Sequence, residues 1–228
     1  MALPSARRSG SPSFVEFDEA ARGVAARYKS RPAHYYVRSK LRMDPVTRAL
    51  RDLGEKEPYG VVVDVACGRG QVALLLRTLG LATAVTGYDW DAGKVANAND
   101  AANGLDAARF HAADVREVVL PAADTVLLVD ILHYLTREEQ DALLVRSARA
   151  ARGRVIVRDV DPDQGATSLF THGWEWVTTA LGYNRGARVS PRSFAEITAV
   201  LEAEGLTVSR ELCSARGMSN VLLVARRA

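Results

Sequence analysis

One stretch constrains this chain more than any other: Val61-Val62-Val63-Asp64-Val65-Ala66-Cys67-Gly68-Arg69-Gly70-Gln71. A run of β-branched residues meets an acid and gives way to a glycine-containing turn. Val72, Leu75, Leu76 and Leu79 then recur at helical spacing. The pattern predicts a strand, a tight loop and a helix, the opening unit of a ligand-binding α/β sheet. Glycine lets the backbone turn sharply and come close to a ligand. The first amides of the helix then face that ligand.

Downstream, strands and helices alternate. Strands are expected at about 60–66, 83–89, 107–112, 124–130 and 154–160, and a terminal pair at 206–213 and 219–226. Helices are expected at 70–79, closed by Gly80, at 91–103, closed by Gly104, and after the capping box Thr136-x-x-Glu139. Ser190-Pro191 is read as the cap of a helix through Phe194, Ile197 and Leu201. Ahead of the first strand, Ser13-x-x-Glu16 opens a helix. Asp44-Pro45 opens another, which carries Val46, Ala49, Leu50 and Leu53 and stops at Gly54. Between them lies the basic, aromatic segment Arg27 to Arg42. The order predicts an α/β chain with a doubly wound, mostly parallel sheet and an N-terminal helical extension. We divide it into a disordered tail (1–12), a helical lid (13–57) and a ligand-binding domain (58–228) with a substrate insertion at about 163–189.

The acid at the strand tip bears on the ligand. Gly68-x-Gly70-x-x-Ala73 also fits a dinucleotide fingerprint. A carboxylate four residues before the first glycine repels a pyrophosphate and favours a cationic ligand without phosphate. Asp64…Gly68-x-Gly70 resembles motif I of the class I S-adenosylmethionine-dependent methyltransferases, with Ala66 where that motif has its first glycine. The resemblance implies a Rossmann-like sheet of seven strands, the last antiparallel, and S-adenosylmethionine as cofactor. It places Asp64, Ala66, Gly68, Gly70 and Gln71 around the donor. Asp89 would accept from the ribose hydroxyls, with Trp90 against the adenine. Asp114, followed by Val115, would accept from the adenine amine, and Asp130 and Ile131 would border the cofactor. For the basic segment three readings stand: a solvated face, a lid in which Lys40 or Arg38 binds the methionine carboxylate, or a surface attracting an acidic substrate or carrier protein.

His133 is a candidate general base, because its pKa lies close to cellular pH. His172 in the insertion is the second, with Trp174 and Trp176 as walls for an apolar acceptor. Asp159 and Asp161 form an acidic pair too small to argue for a metal. Lys40-Leu41-Arg42-Met43-Asp44-Pro45 and Leu132-His133-Tyr134-Leu135 loosely resemble bacterial secondary-metabolite small-molecule methyltransferases. The expected reaction is methyl transfer to a small-molecule acceptor, free or carrier-bound, at an aromatic hydroxyl or a carboxylate. An NAD(P)-binding oxidoreductase and a non-catalytic methyltransferase-like binding subunit are the alternatives.

Composition narrows the class further. Hydrophobic residues make up 48% and charged residues 25% of 228, as in globular chains. A net charge of +3 is too small to argue for nucleic acid. Two cysteines, Cys67 and Cys213, make no disulfide framework. No apolar run approaches membrane-spanning length, and no secretory signal is read at the N-terminus, so a cytoplasmic protein is expected. A homodimer through the N-terminal helices is a further expectation.

Overall fold

The computed structural model of the chain describes residues 14–159, 190–213 and 221–227. Three helices come first: α1 (Phe14–Ala26), α2 (Arg31–Met43) and α3 (Pro45–Lys56). Then follow β1 (Gly60–Val65), α4 (Gln71–Thr78), β2 (Ala82–Asp89), α5 (Ala92–Ala102), β3 (Ala108–Ala112) and β4 (Ala123–Val129). A single 3-10 turn (Leu132–Tyr134) leads into α6 (Arg137–Ala150) and β5 (Ala151–Arg158). The described chain ends with α7 (Phe194–Ala203), β6 (Leu206–Leu212) and β7 (Val221–Arg227).

The strand order is β3-β2-β1-β4-β5-β7-β6. β7 alone runs opposite to the other six strands. Side chains alternate across the sheet with the period of two that strands impose. Val62, Leu127 and Ile156 face a layer built with α1–α5. Val63, Val65, Val126, Leu128, Val155 and Val157 face a second layer with α6 and α7. The N-terminal helices share the first layer through Phe17, Val24, Val37, Leu41 and Leu50.

Local signals explain most boundaries. Asp44 ends α2 and caps α3, its Oδ1 accepting the Val46 N–H at 3.0 Å. Thr136 forms the expected capping box with Glu139. Other elements differ from the sequence reading. The basic segment is itself a helix, α2. Ser30 caps it, and Ala33, Val37 and Leu41 are its buried face. Gly54 does not stop α3, which runs on to Lys56. Its missing side chain instead makes room for Tyr59, since a Cβ there would lie 2.5 Å from the ring. The cap of α7 is Ser193, in a box with Glu196. Ser190 is occupied elsewhere: its N–H donates to the His133 carbonyl and its own carbonyl accepts from Gln140. β5 starts at Ala151, three residues early, and no helix covers the β3–β4 crossover. Arg146 of α6 holds that crossover by donating to the carbonyls of Val115 and Val118. Ser13 and the insertion around 163–189 lie outside the described residues. Among the described residues no helix is long and apolar enough to cross a membrane.

Gly54 yields a test with an inverted sign. In an exposed helix interior Gly→Ala stabilises by about 1 kcal/mol. Here Gly54→Ala overpacks Tyr59 and should destabilise by about 1–3 kcal/mol in denaturant unfolding.

Candidate functional site

The loop between β1 and α4 is built from three unlike positions. Ala66 has φ +60°, a left-handed conformation that disfavours any side chain. Gly68 has φ +57°, and a Cβ there would meet nothing within 4 Å, so the loop presents open backbone at this point. Gly70 has φ +72°, and a Cβ would lie 2.6 Å from the Phe110 ring. Gly70, the N-cap of α4, therefore leaves room for the Phe110 ring of β3.

Two carboxylates occupy the tips of β1 and β2. Asp89 is 5% exposed. Its Oδ2 accepts the Gly68 N–H at 2.8 Å and its Oδ1 the Asp91 N–H at 2.9 Å. It thus ties the glycine loop to the start of α5, whose cap is Asp91. Asp64 is 3% exposed and makes no hydrogen bond or ion pair among the described residues. Burial, with the Asp89 charge adding to it, pushes its carboxyl up to about 7.

A cavity opens where the carboxyl ends of β1, β2 and β4 meet. Asp64, Ala66, Gly68, Gln71, Asp89, Trp90, Asp114, Val115, Asp130, Ile131 and Lys40 line it. Of the expected cofactor set only Gly70 is absent from the lining. Gln71 Oε1 is buried there without a hydrogen-bond partner. Asp114 is gripped by Arg116, which holds its carboxyl below the usual range.

Tyr134 and Leu135, from the segment after β4, also line the cavity, as do Tyr36 and Val46, which the sequence reading did not place at the site. Tyr36 and Lys40 stand one helical turn apart on α2, so recognising that helix from its Ala33-Val37-Leu41 stripe would have found both. Lys40 is not a free cation. Its Nζ lies 2.6 Å from Asp44 Oδ2 and 3.6 Å from Asp130 Oδ2. Arg158 completes the cluster, bonded to Asp130 and 3.7 Å from Asp44 Oδ1. Burial opposes the charge on Asp130, but Arg158 and Lys40 outweigh it and hold the carboxyl low. Asp130 also has a left-handed backbone, φ +57°.

His133 does not line the cavity. It is 5% exposed, with Nδ1 at 2.6 Å from Asp159 Oδ1. Asp159 Oδ2 accepts the Leu132 N–H at 2.8 Å, so the pair fixes the 3-10 turn that carries Tyr134. Burial works against the imidazolium, but Asp159 overcomes it and raises the His133 pKa. His172, Trp174, Trp176 and Asp161 fall outside the described residues.

Two stability measurements follow. Ala66→Gly removes the left-handed strain and should stabilise the protein by up to about 1 kcal/mol in denaturant unfolding. Asp64 has a folded pKa above its unfolded value, so its contribution is lost as pH rises from about 4 through about 7. Asp64→Asn should therefore match wild type near pH 4 and unfold at a higher denaturant concentration at pH 8.

Residues 62–153 match the model of a family described as a methyltransferase domain. No curated protein matches the chain by sequence. Magnesium protoporphyrin IX methyltransferase from Synechocystis, solved with bound S-adenosylhomocysteine, superposes with a TM-score of 0.61 at 20% identity, covering 92% of this chain and 93% of that one. The methyltransferase SibL superposes with a TM-score of 0.65 at 24% identity, covering 86% of this chain and 57% of that one. For the mitomycin 7-O-methyltransferase MmcR the TM-score is 0.63 at 19% identity, with 90% and 60% covered. The chain thus spans nearly all of the first protein and less than two thirds of the other two. Residues 62–153 are similar to a methyltransferase-domain family, and the fold around them is the one these methyltransferase structures share.

Proposed function

We propose that the cavity holds S-adenosylmethionine and that the chain methylates an oxygen of a small-molecule acceptor, an aromatic hydroxyl or a carboxylate. The observation that carries this reading is Asp64. A carboxylate 3% exposed, without a cation or donor among the described residues, lines the wall of an open cavity. A buried charge of this kind calls for a counter-charge, and the donor's α-amino group is one. Gln71 Oε1, a second unpartnered buried acceptor, faces the same need.

The remaining roles follow the same chemistry. Asp89 keeps lone pairs beyond the two backbone donors it accepts, and these suit ribose hydroxyls. Asp114, held by Arg116, offers an acceptor to the adenine amine, and Trp90 an apolar face. Bound there, S-adenosylmethionine supplies an electrophilic methyl group on a positively charged sulfur. The chain's own part is positioning, which by itself can lower a barrier by about 7–11 kcal/mol. Val46, Val129, Ile131 and Leu135, with Tyr36 and Tyr134, give the cavity an apolar wall suited to an aromatic acceptor. α1–α3 act as its cover. The similar structures include a methyltransferase named for magnesium protoporphyrin IX and one named for position 7 of mitomycin. We give His133 a positioning role: with Asp159 it orients the turn bearing Tyr134. An acceptor that arrives as an anion needs no base.

The test is calorimetric titration with S-adenosylhomocysteine, which carries the same ammonium group. Binding requires ionised Asp64, so affinity should fall by up to about tenfold per pH unit below about 7. Asp64→Asn should bind at least about tenfold more weakly at pH 7.5 and lose that pH dependence. Binding of NAD(P)H instead, or a pH dependence that survives Asp64→Asn, would remove the basis of the proposal.

A further inference from the structure

Between Ala20 and Met43 the chain has seven Lys and Arg residues and no Asp or Glu, whereas the whole chain carries only +3. Three of the seven are occupied. Arg27 donates to the carbonyls of Ala101 and Asn103, Arg22 to that of Asp18, and Lys40 pairs with Asp44. The other four, Lys29, Arg31, Arg38 and Arg42, are exposed and pair with no carboxylate among the described residues. Elsewhere on the surface Arg116, Arg137 and Arg149 pair with Asp114, Glu196 and Glu204, while the exposed Arg109, Arg152 and Arg210 lack a carboxylate partner among the described residues but stand singly on β3, β5 and β6 rather than in a row.

Arg31, Tyr35, Arg38 and Arg42 recur at helical spacing and form one stripe on α2. The eleven steps from Arg31 to Arg42, at 1.5 Å each, give it a length of about 16 Å. Tyr35 stands in it 63% exposed. The stripe is turned away from the buried Ala33 and Val37 and from Tyr36 and Lys40, which line the cavity from the far side of the same helix. The outer face of α2 is therefore one helix width from the methyl-transfer site.

We propose that this stripe docks the acidic helical face of a carrier protein, which presents a tethered acceptor to the cavity. The proposal rests on the methyltransferase reading above and names how its acceptor arrives. Unpaired cations in a row complement a row of carboxylates and steer encounter, and an exposed tyrosine among them supplies an anchor. A bilayer is a poorer fit, because binding in its interface needs a broad apolar face and the stripe offers only Tyr35. Nucleic acid is a poorer fit to a chain of such low net charge.

The experiment uses fluorescence anisotropy of a labelled, purified holo acyl carrier protein in about 20 mM salt, where exposed charges are weakly screened. The variant Arg31→Glu/Arg38→Glu/Arg42→Glu is compared with Arg109→Glu/Arg152→Glu/Arg210→Glu. The second set reverses equal charge at exposed positions off α2. Wild type should bind the carrier, the α2 variant at least about tenfold more weakly, and the control within about twofold. S-adenosylhomocysteine affinity should be equal in all three. No binding by wild type, equal loss in both variants, or tighter binding to phosphatidylglycerol vesicles than to the carrier overturns the proposal. Failure of wild type to bind S-adenosylhomocysteine is a different result, and it overturns the methyltransferase reading instead.

Discussion

Asp89 holds two loops at once, and the site depends on it. Parallel pairing of β1 with β2 brings the loops after both strands to the same edge of the sheet. One carboxylate then accepts from Gly68 in the first loop and from Asp91 in the second. Both of its oxygens face backbone donors at the strand tips. Asp64 ends up beside Asp89 with no side-chain donor of its own among the described residues. Its raised pKa follows from the topology and from Asp89's task. The cavity thus has one acid satisfied by the protein and one without a side-chain partner among the described residues.

The N-terminal helices are joined to this edge by polar contacts as well as by the core. The Tyr28 hydroxyl donates to the Arg69 carbonyl in the glycine loop at 2.6 Å. Arg69 in turn donates to Asn97 on α5 and lies over the Tyr36 ring. On the other flank, Lys40 and Asp44 from α2 and its cap meet Asp130 and Arg158 from the ends of β4 and β5. Two acids and two cations balance. Such a cluster adds little net stability but fixes orientation, because removing one partner leaves a buried charge uncompensated. α2, whose Tyr36 and Lys40 line the cavity, is therefore held by directional contacts towards both of its ends.

The parts of the fold legible in the sequence were those governed by local rules. β1, the glycine loop and α4 follow from a β-branched run, two glycines and an apolar period. Asp44, Thr136 and Glu139 behave as caps because capping involves residues only a few positions apart. What could not be read depends on partners far along the chain. Gly54 looks like a helix stop until Tyr59 folds back against it. His133 reads as a residue beside the crevice, but the fold buries it outside the cavity lining, with Asp159, 26 residues on, at its Nδ1. Lys40 looks like a free cation until β4 and β5 deliver Asp130 and Arg158. The acids at the strand tips were legible because a parallel sheet gathers its strand ends at one edge whatever the rest of the chain does.

That gathering also concentrates unfavourable features. Ala66 and Asp130 adopt left-handed backbone, and Asp64 is buried without a partner. Each left-handed residue costs roughly 1–2 kcal/mol. A carboxyl shifted from 3.8 to about 7 costs on the order of 4 kcal/mol at neutral pH. These sums are large against a typical stability of about 5–15 kcal/mol. The burden is tolerated because it sits on β1 and β4, whose Val62, Val63, Val65, Val126, Leu127 and Leu128 are almost wholly buried. A ligand that supplies a cation to Asp64 relieves the largest of the three terms. Neither backbone strain is altered by a charge, so that ligand's effect on stability passes through Asp64 and carries its pH dependence.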